Sequence, residues 1–251
     1  MKKTTLFFAL ITLLLSACNQ VQEVKEKRNE RIKEKMVETY ENSVLTDDEK
    51  KTGFKLLFNG INTEGWHPYK NIKDSTYKWE IKEGILSTNG GHVDLVTDST
   101  YENFEVRFDW KVGKSGNSGF MYMVQENEPK TDATWNTGVE YQIIDHKGWP
   151  DQLHASQKAG ALYDMYNPLV MSANEAGEWN TAKIISNKGH IEHYLNGQKT
   201  GEYDWNSKDF KDRVAKSKFK AMPYGKKIKG QFALQDHGQA VAFKNVRIKI
   251  L

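Results

Sequence analysis

Cysteine is almost absent from this chain: Cys18 is the only one among 251 residues. A single thiol excludes an internal disulfide framework and a cysteine-rich zinc site. An excess of one charge sign is missing too, since 36 Lys and Arg stand against 33 Asp and Glu for a net +3. No basic block interleaved with aromatics occurs, so the chain lacks the electrostatic footprint of a nucleic-acid binder. Five prolines and 19 glycines exclude collagen-like and Pro-rich architectures. There is no dinucleotide fingerprint, no nucleophile-elbow serine and no zinc-spaced histidine pair on one helix. Gly113-Lys114-Ser115-Gly116-Asn117-Ser118-Gly119 has the glycines of a phosphate loop but neither its spacing nor a following helix. It reads as a turn between strands, with Asn117 at the edge of a cleft.

Hydrophobic residues make up 38% of the chain and charged residues 27%, a balance that supports a packed core under a solvated surface. The length suits one large domain or two small ones. Aromatics reach 12%, with seven Trp and 11 Tyr. Such rings stack on the C–H faces of sugars, and they also fill the cores of β-rich folds, which is the ordinary fate of any single ring.

Residues 1–17 read as a bacterial lipoprotein signal peptide. Lys2 and Lys3 precede an apolar run from Leu6 to Leu15 that is too short to span a bilayer as a mature helix. Leu15-Ser16-Ala17-Cys18 looks like a lipobox, with cleavage before Cys18 and lipidation there. The expectation is a lipid anchor without a transmembrane span, holding the protein in the bacterial cell envelope, periplasm-facing or at the surface. Residues 18–45 read as a charged tether. Opposite charges such as Glu23 and Lys27, or Lys35 and Glu38, sit four or three apart and suit a solvated helix. A domain over 46–251 opens with Thr46-Asp47-Asp48-Glu49, a capping box for a short helix.

From Phe54 onward the pattern predicts short strands. Phe54 to Phe58, Tyr77 to Ile81, Ile85 to Ser87, Phe120 to Val124, Val139 to Ile144, Ala182 to Ile185 and Phe232 to Leu234 are candidates. Phe104 to Val112 alternates apolar and polar cleanly, and Ala242 to Ile250 does so with one break. Ile191 to Gln198 reads as a hairpin around Asn196-Gly197, and Ser207 to Lys220 as the main helix inside the domain. His190 and His193, in and beside that hairpin, are expected at the surface. Short strands at Gly and Asn turns predict an all-β sandwich or jelly roll rather than α/β units.

An ordered set of phrases then resembles the 3-keto-disaccharide hydrolase domain family. Leu56-Leu57-Phe58-Asn59-Gly60 with Gly65-Trp66 opens it. Gly90-Gly91 with Asp94-Leu95, Gly116-Asn117-Ser118-Gly119, Glu140-Tyr141-Gln142-Ile143-Ile144-Asp145 and Gly160-Ala161-Leu162-Tyr163 follow. Gly177-Glu178-Trp179-Asn180, Ser217-Lys218-Phe219, Leu234-Gln235-Asp236-His237-Gly238 and Phe243-Lys244-Asn245-Val246 complete it. The resemblance covers 46–251 and implies a concanavalin A-like jelly-roll β-sandwich that cleaves 3-keto glycosides, with a carbohydrate as substrate. A ketone at sugar C3 acidifies the C2 proton, so one base, one donor to the enolate oxygen and one acid suffice for β-elimination; hydration then completes net hydrolysis. Oxidation at C3 would fall to a separate sugar 3-dehydrogenase. No cofactor is required, and a structural calcium is left open by analogy with lectins of this fold.

Within that frame Glu140 is the expected base, and Asp145, His146 and His237 are the other catalytic candidates. Alternation along the strand puts Glu140 and Gln142 on one face, where a buried carboxylate is expensive unless the face forms a cleft. The same strand is similar to the Glu-x-Asp-x-x-Glu strand of jelly-roll glycosidases, with Gln142 in place of the middle carboxylate and Asp145 in place of the last. Retaining hydrolysis by Glu140 and Asp145 is thus an alternative, and needs a bulge to bring both to one face. His92, Asn117, Gln142, His154, Tyr163, Trp179, Lys218 and Gln235 are candidates for substrate binding. A non-catalytic carbohydrate-binding lipoprotein is the other alternative.

Overall fold

The computed structural model describes residues 22–28, 43–71, 79–91, 93–129 and 131–251. The chain divides into two units, residues 1–41 and 42–251. In the first, residues 22–28 form helix α1 with exposed side chains. Cys18, the rest of the signal segment, most of the tether and His92 lie outside the described residues. No helix among the described residues is long and apolar enough to cross a membrane.

The second unit begins with α2 (Asp47–Lys51). Thr46 Oγ1 accepts from the Glu49 N–H at 3.2 Å and Glu49 Oε2 accepts from the Thr46 N–H at 3.1 Å, the reciprocal box expected there. Ser43, three residues earlier, is buried and donates to Gly84 O at 3.3 Å, so the folded unit reaches back into the segment read as tether. The strands are β1 (Lys55–Leu56), β2 (Trp66–Pro68), β3 (Glu80–Lys82), β4 (Ile85–Thr88), β5 (Leu95–Thr97), β6 (Phe104–Val112), β7 (Asn117–Val124), β8 (Val139–Ile144), β9 (Asn180–Asn187), β10 (His190–Leu195), β11 (Gln198–Asp204), β12 (Gln231–Leu234) and β13 (Val241–Ile250). Among the described residues one helix of length lies between them, α3 (Lys208–Lys216).

Two antiparallel sheets form a jelly-roll-like β-sandwich. One runs in the order β11–β10–β9–β6–β13–β4–β3, with β1 also on β13; the other runs β2–β5–β12–β7–β8. Strand β6 buries every second residue, from Phe104 to Val112, because its inner face meets the other sheet. Phe108 stacks on Phe120 across the gap at 4.2 Å, and Phe104 meets Phe232 edge-on at 4.8 Å. Each such ring contributes about 1.5–3 kcal/mol by burial. Trp66, Trp79, Trp110 and Trp205 are buried with them, so core packing takes most of the tryptophans.

Several expectations shift in detail. The Phe54 to Phe58 candidate is a strand only at Lys55–Leu56. The break in the last strand is a bulge: β13 changes register against β6 between Lys244 and Arg247, and Asn245 has φ 53°. The expected helix over 207–220 is interrupted at Ser217, whose Oγ accepts from the Phe219 N–H and starts a separate 3-10 turn, Lys218–Ala221. Strand β8 stops at Ile144, leaving Asp145 and His146 in the following turn. The β10–β11 hairpin turns at Asn196 (φ 48°) and Gly197 (φ 80°), the left-handed pair that an Asn-Gly turn supplies.

His193 is the clearest correction. It is not at the surface: in β10 the alternation sends Ile191, His193 and Leu195 into the core. Its Nε2 lies 2.8 Å from Tyr122 Oη, which lies 2.5 Å from Tyr203 Oη. Burial pulls the imidazole down from 6.5 to about 3, so it is neutral in the fold. The unfolded chain protonates this histidine below pH 6.5 while the folded chain does not, so stability falls as pH drops from there towards 3. Between pH 6.5 and pH 5 the loss from this group is roughly 2 kcal/mol. Urea melts at pH 7 and pH 5 on the wild type and on His193→Phe test it: the variant should lose about 2 kcal/mol less on acidification.

Candidate active site

Strand β8 is an edge strand, and its free edge is covered from within the chain. The Gln142 N–H donates to Ala161 O at 3.1 Å, the Gly160 N–H to Gln142 O at 2.9 Å and the Tyr163 N–H to Glu140 O at 3.1 Å. This pairing protects the edge and also sets Tyr163 beside Glu140. Tyr141 and Ile143 point into the core, where the Tyr141 ring meets Phe108 at 5.8 Å. Glu140 and Gln142 therefore point out of the five-stranded sheet on its other face. On the paired strand β7, Gly119 stands opposite Gln142 and Met121 opposite Glu140. A Cβ at Gly119 would lie 2.7 Å from Glu140 Oε1, so the carboxyl lies across a position where a side chain would displace it.

A cleft of about 300 Å³ opens above these residues. Asn117, Glu140, Gln142 and Gln235 form its floor, and Tyr163, Lys218 and Trp135 stand around it with His237 at the rim. After the break at Ser217, Lys218 stands exposed at the side of the cleft: its Nζ is 3.1 Å from Asp164 Oδ2 and 4.3 Å from the centre of the Tyr163 ring. Burial pulls this ammonium down, but Asp164 and Tyr163 outweigh it and leave the pKa raised. Asp164 is itself held by Gln157 Nε2 at 3.0 Å.

Glu140 is 7% exposed, and its carboxyl has no hydrogen-bond partner among the described residues. Burial raises its pKa from 4.5 to about 8; Lys218 opposes the shift, while Asp94 and Asp164 add to it. Asn117 Oδ1 and Gln235 Oε1 are also buried without a partner. Gln142 is satisfied, since its Nε2 donates to Gln157 O at 3.2 Å and its Oε1 accepts from the Ile143 N–H at 3.1 Å. The cleft thus presents a raised carboxyl, a fixed ammonium, two unpaired carbonyl acceptors and the Tyr163 and Trp135 rings. This is a set suited to a polyhydroxylated ring undergoing proton transfer.

The structure separates the remaining candidates from the cleft. Strand β8 has no bulge against β7, so Asp145 does not return to the face of Glu140. Its carboxylate accepts from the Ser115 N–H and the Gly148 N–H, both at 2.9 Å, and organises the turn. The pairing of Glu140 with Asp145 needed for retaining hydrolysis is therefore not built. His146 is half-buried in the same turn outside the cleft lining, with its pKa lowered by burial and by Lys158 and Lys147. His154 is exposed at the start of the 3-10 turn Ala155–Gln157. The Trp179 ring packs under Lys244 Nζ at 4.5 Å and Lys111 Nζ at 4.8 Å, away from the cleft. Trp135, Phe219 and Met222 complete the lining and were not among the site residues expected from sequence. Trp135 sits in a turn where Asn136 Oδ1 accepts from the N–H groups of Asp132 (3.0 Å) and Ala133 (2.9 Å).

Among the described residues one cluster offers metal-ligating atoms within 4.8 Å of one another, His190, Glu192 and Glu202 on the β10–β11 hairpin. An imidazole with two carboxylates suits a transition metal better than calcium. Lys199 Nζ already bridges both glutamates at 2.7 and 3.0 Å.

Residues 53–249 match the 3-keto-alpha-glucoside-1,2-lyase-like domain. The chain belongs to that family. A 3-keto-disaccharide hydrolase of Bacteroides thetaiotaomicron is 31% identical over 229 residues, covering 79% of each chain. A crystal structure from Parabacteroides distasonis, described as a glycosyl hydrolase, superposes with TM-score 0.79 at 40% identity, covering 84% of this chain and 100% of the other. A second from that organism, described likewise, gives TM-score 0.61 at 28% identity, with 79% and 99% covered. Membership in the family makes this a carbohydrate-acting enzyme fold, with the cleft on β8 as its candidate centre.

The electrostatics of the cleft yield a direct test. Lys218 holds Glu140 below where burial alone would leave it. In Lys218→Met the Glu140 carboxyl should titrate above 8, read by carboxyl carbon NMR with the wild type as reference.

Proposed function

We propose that this chain cleaves 3-keto glycosides by C2 deprotonation, β-elimination and hydration, with Glu140 as the base. The observation that carries the reading is a buried carboxyl of raised pKa, free of hydrogen-bond partners among the described residues and facing a cleft beside a fixed ammonium. A base with a pKa near 8 holds a proton more strongly than an ordinary carboxylate, which favours abstraction from carbon.

The steps balance without a nucleophile. Glu140 takes the C2 proton, and the C–H electron pair forms the enolate, whose oxygen receives a hydrogen bond from the Lys218 ammonium. The enolate collapses to a C1–C2 double bond, restores the C3 ketone and expels the C1 oxygen. His237 stands at the cleft rim as the acid for that oxygen; its Nδ1 lies 3.0 Å from Gln239 Oε1, which leaves Nε2 for the substrate. Water then adds at C1 as C2 regains a proton, and the net result is hydrolysis. Asn117 and Gln235 accept from sugar hydroxyls, and Tyr163 offers a stacking face. The substrate must come from an oxidation at C3 carried out by a separate dehydrogenase. Lipidation at Cys18 would hold the reaction in the bacterial envelope.

Incubation in heavy water with a 3-keto glucoside and with its unoxidised parent tests the chemistry. Aglycone should leave only from the keto substrate, with deuterium entering at C2 or an unsaturated sugar appearing by NMR; cleavage of the parent would sink the reading. Glu140→Gln should lower kcat by 10²–10⁴-fold while the ligand still binds in calorimetry. The pH profile follows from the same carboxyl. The base acts ionised, so in His237→Ala, where no histidine acid contributes a falling limb, kcat/KM should rise about tenfold per pH unit below the Glu140 pKa and level off above about 8. A profile that falls across that range would assign Glu140 as an acid.

A further inference from the structure

His237 is exposed at the rim of the cleft, where an unsupported imidazole would sample several orientations. Two groups meet its ring. Gln239 Oε1 lies 3.0 Å from Nδ1, and an amide oxygen can only accept, so Nδ1 carries a proton and Nε2 is left to donate. The Trp149 ring stands 6.4 Å away between centroids at 72°, an edge-to-face pair. We infer that Trp149 is a positioning residue that holds the His237 imidazole at the rim so that Nε2 meets the departing C1 oxygen. The inference rests on the reading of His237 as the acid for that oxygen. In that step the Nε2 proton passes to the oxygen as the C1–O electron pair leaves with it, and the imidazole stays neutral with Nδ1–H still on Gln239.

Sheet topology brings the two rings together. Strands β8 and β12 both pair antiparallel with β7, so the ends of β8 and β12 and the start of β7 lie at one edge of the five-stranded sheet. Trp149 follows β8 at that edge and His237 follows β12. The turn that carries Trp149 is tightly built. The Trp149 N–H donates to Asp145 O at 2.9 Å. The Asp145 carboxylate accepts from the Ser115 and Gly148 N–H groups, and the Ser115 hydroxyl donates to Gly148 O at 2.6 Å. A Cβ at Gly148 would overlap Asp145 Oδ2, so the carboxylate approaches a position that only glycine leaves open. Trp149 itself is half-buried and packs against the main core. On the other side Asp236, next to His237, accepts from the Thr88 hydroxyl and the Gly238 N–H, both at 2.9 Å. Both backbones are therefore pinned, and the rings meet at a set separation. Trp149 is not part of the cleft lining, so it acts through His237 and not on the substrate. The glycine-rich turn before β7 and Asp145, which the chemistry leaves unused, thereby gain a role: they hold Trp149, and Trp149 holds the acid.

Leaving-group dependence in the full chain tests the role. A departing methoxide needs a proton, whereas a 4-nitrophenolate leaves without one. Trp149→Leu should lower kcat about tenfold on methyl 3-keto-glucoside and stay within about twofold of wild type on 4-nitrophenyl 3-keto-glucoside. Trp149→Phe keeps a ring and should restore most of the loss. Deuterium exchange at C2 of the methyl substrate, which does not involve the acid, should run at the wild-type rate in both variants. An equal loss on the two substrates, a matching loss of C2 exchange, or no loss on the methyl glycoside overturns the inference. His237→Ala separates it from the reading beneath it. If that variant shows the leaving-group dependence and Trp149→Leu does not, the positioning fails and the acid stands. If His237→Ala shows none, the acid assignment fails and the positioning with it. Should Trp149→Leu fail to fold, NMR of the wild type decides: nuclear Overhauser contacts between the Trp149 and His237 rings, with His237 as the Nδ1–H tautomer, are expected, and their absence overturns the inference.

Discussion

The two-residue period of one edge strand underlies the whole arrangement. In β8 that period commits Tyr141 and Ile143 to the core and, by the same geometry, lifts Glu140 and Gln142 onto the opposite face. A slip of one residue would bury the carboxyl among aromatics and expose the Tyr141 ring. Register is held on one side by β7 and on the other by backbone hydrogen bonds to residues 160–163. That second set of bonds does two things at once. It covers an edge that would otherwise invite pairing with another chain, and it carries Tyr163 and Asp164 to the cleft. Asp164 in turn fixes Lys218, so the ammonium facing Glu140 depends on the strand that carries Glu140.

Burying a carboxyl without hydrogen bonds works against stability, and the fold does little to relieve it. Gly119 makes room for the group but offers it no side-chain donor. Asp145, five residues on, shows the contrast: two backbone N–H groups satisfy it and it serves the turn. Two carboxyls a few residues apart on one chain thus take opposite roles, one structural and one left reactive, through the donors each meets. The same logic applies to the histidines. His193 is buried against tyrosine hydroxyls and kept neutral, whereas His237 sits at a rim where its Nε2 can meet a ligand.

Much of this was legible in the sequence because it depends on alternation and on turn chemistry. The alternation of Phe104 to Val112, the Asn196-Gly197 turn and the Thr46 capping box are local, and each was read from a few residues. The shared face of Glu140 and Gln142 followed from the strand period alone. The loss of Asp145 from that face was open until the absence of a bulge was seen, since bulges depend on the partner strand. His193 was misread because a polar residue near a hairpin resembles a surface residue; the hydroxyl that satisfies its Nε2 belongs to Tyr122, 71 residues away, and no local pattern reveals it. Trp135 and Met222 were missed for a related reason. Their place in the cleft comes from loops packed over the sheet, and no periodic pattern marks such loops.

On the proposed reading, the chemistry of the cleft also accounts for why oxidation would precede cleavage. An unoxidised glycoside breaks through an oxocarbenium-like state and needs two carboxyl groups placed on either side of the bond. Here the strand that would carry both turns one of them into a loop. A C3 ketone removes that requirement, because the electrons released at C2 move into a carbonyl and the negative charge gathers on one oxygen. One base below the ring and one cation at that oxygen are then enough. In the proposed mechanism Glu140 and Lys218 would be such a pair, and the field of Lys218 would act on both: it restrains the pKa of the carboxyl and would stabilise the enolate as the proton leaves. Preorganisation of that cation by Asp164 and the Tyr163 ring means that little rearrangement is needed when charge appears, which is where such a site gains its rate.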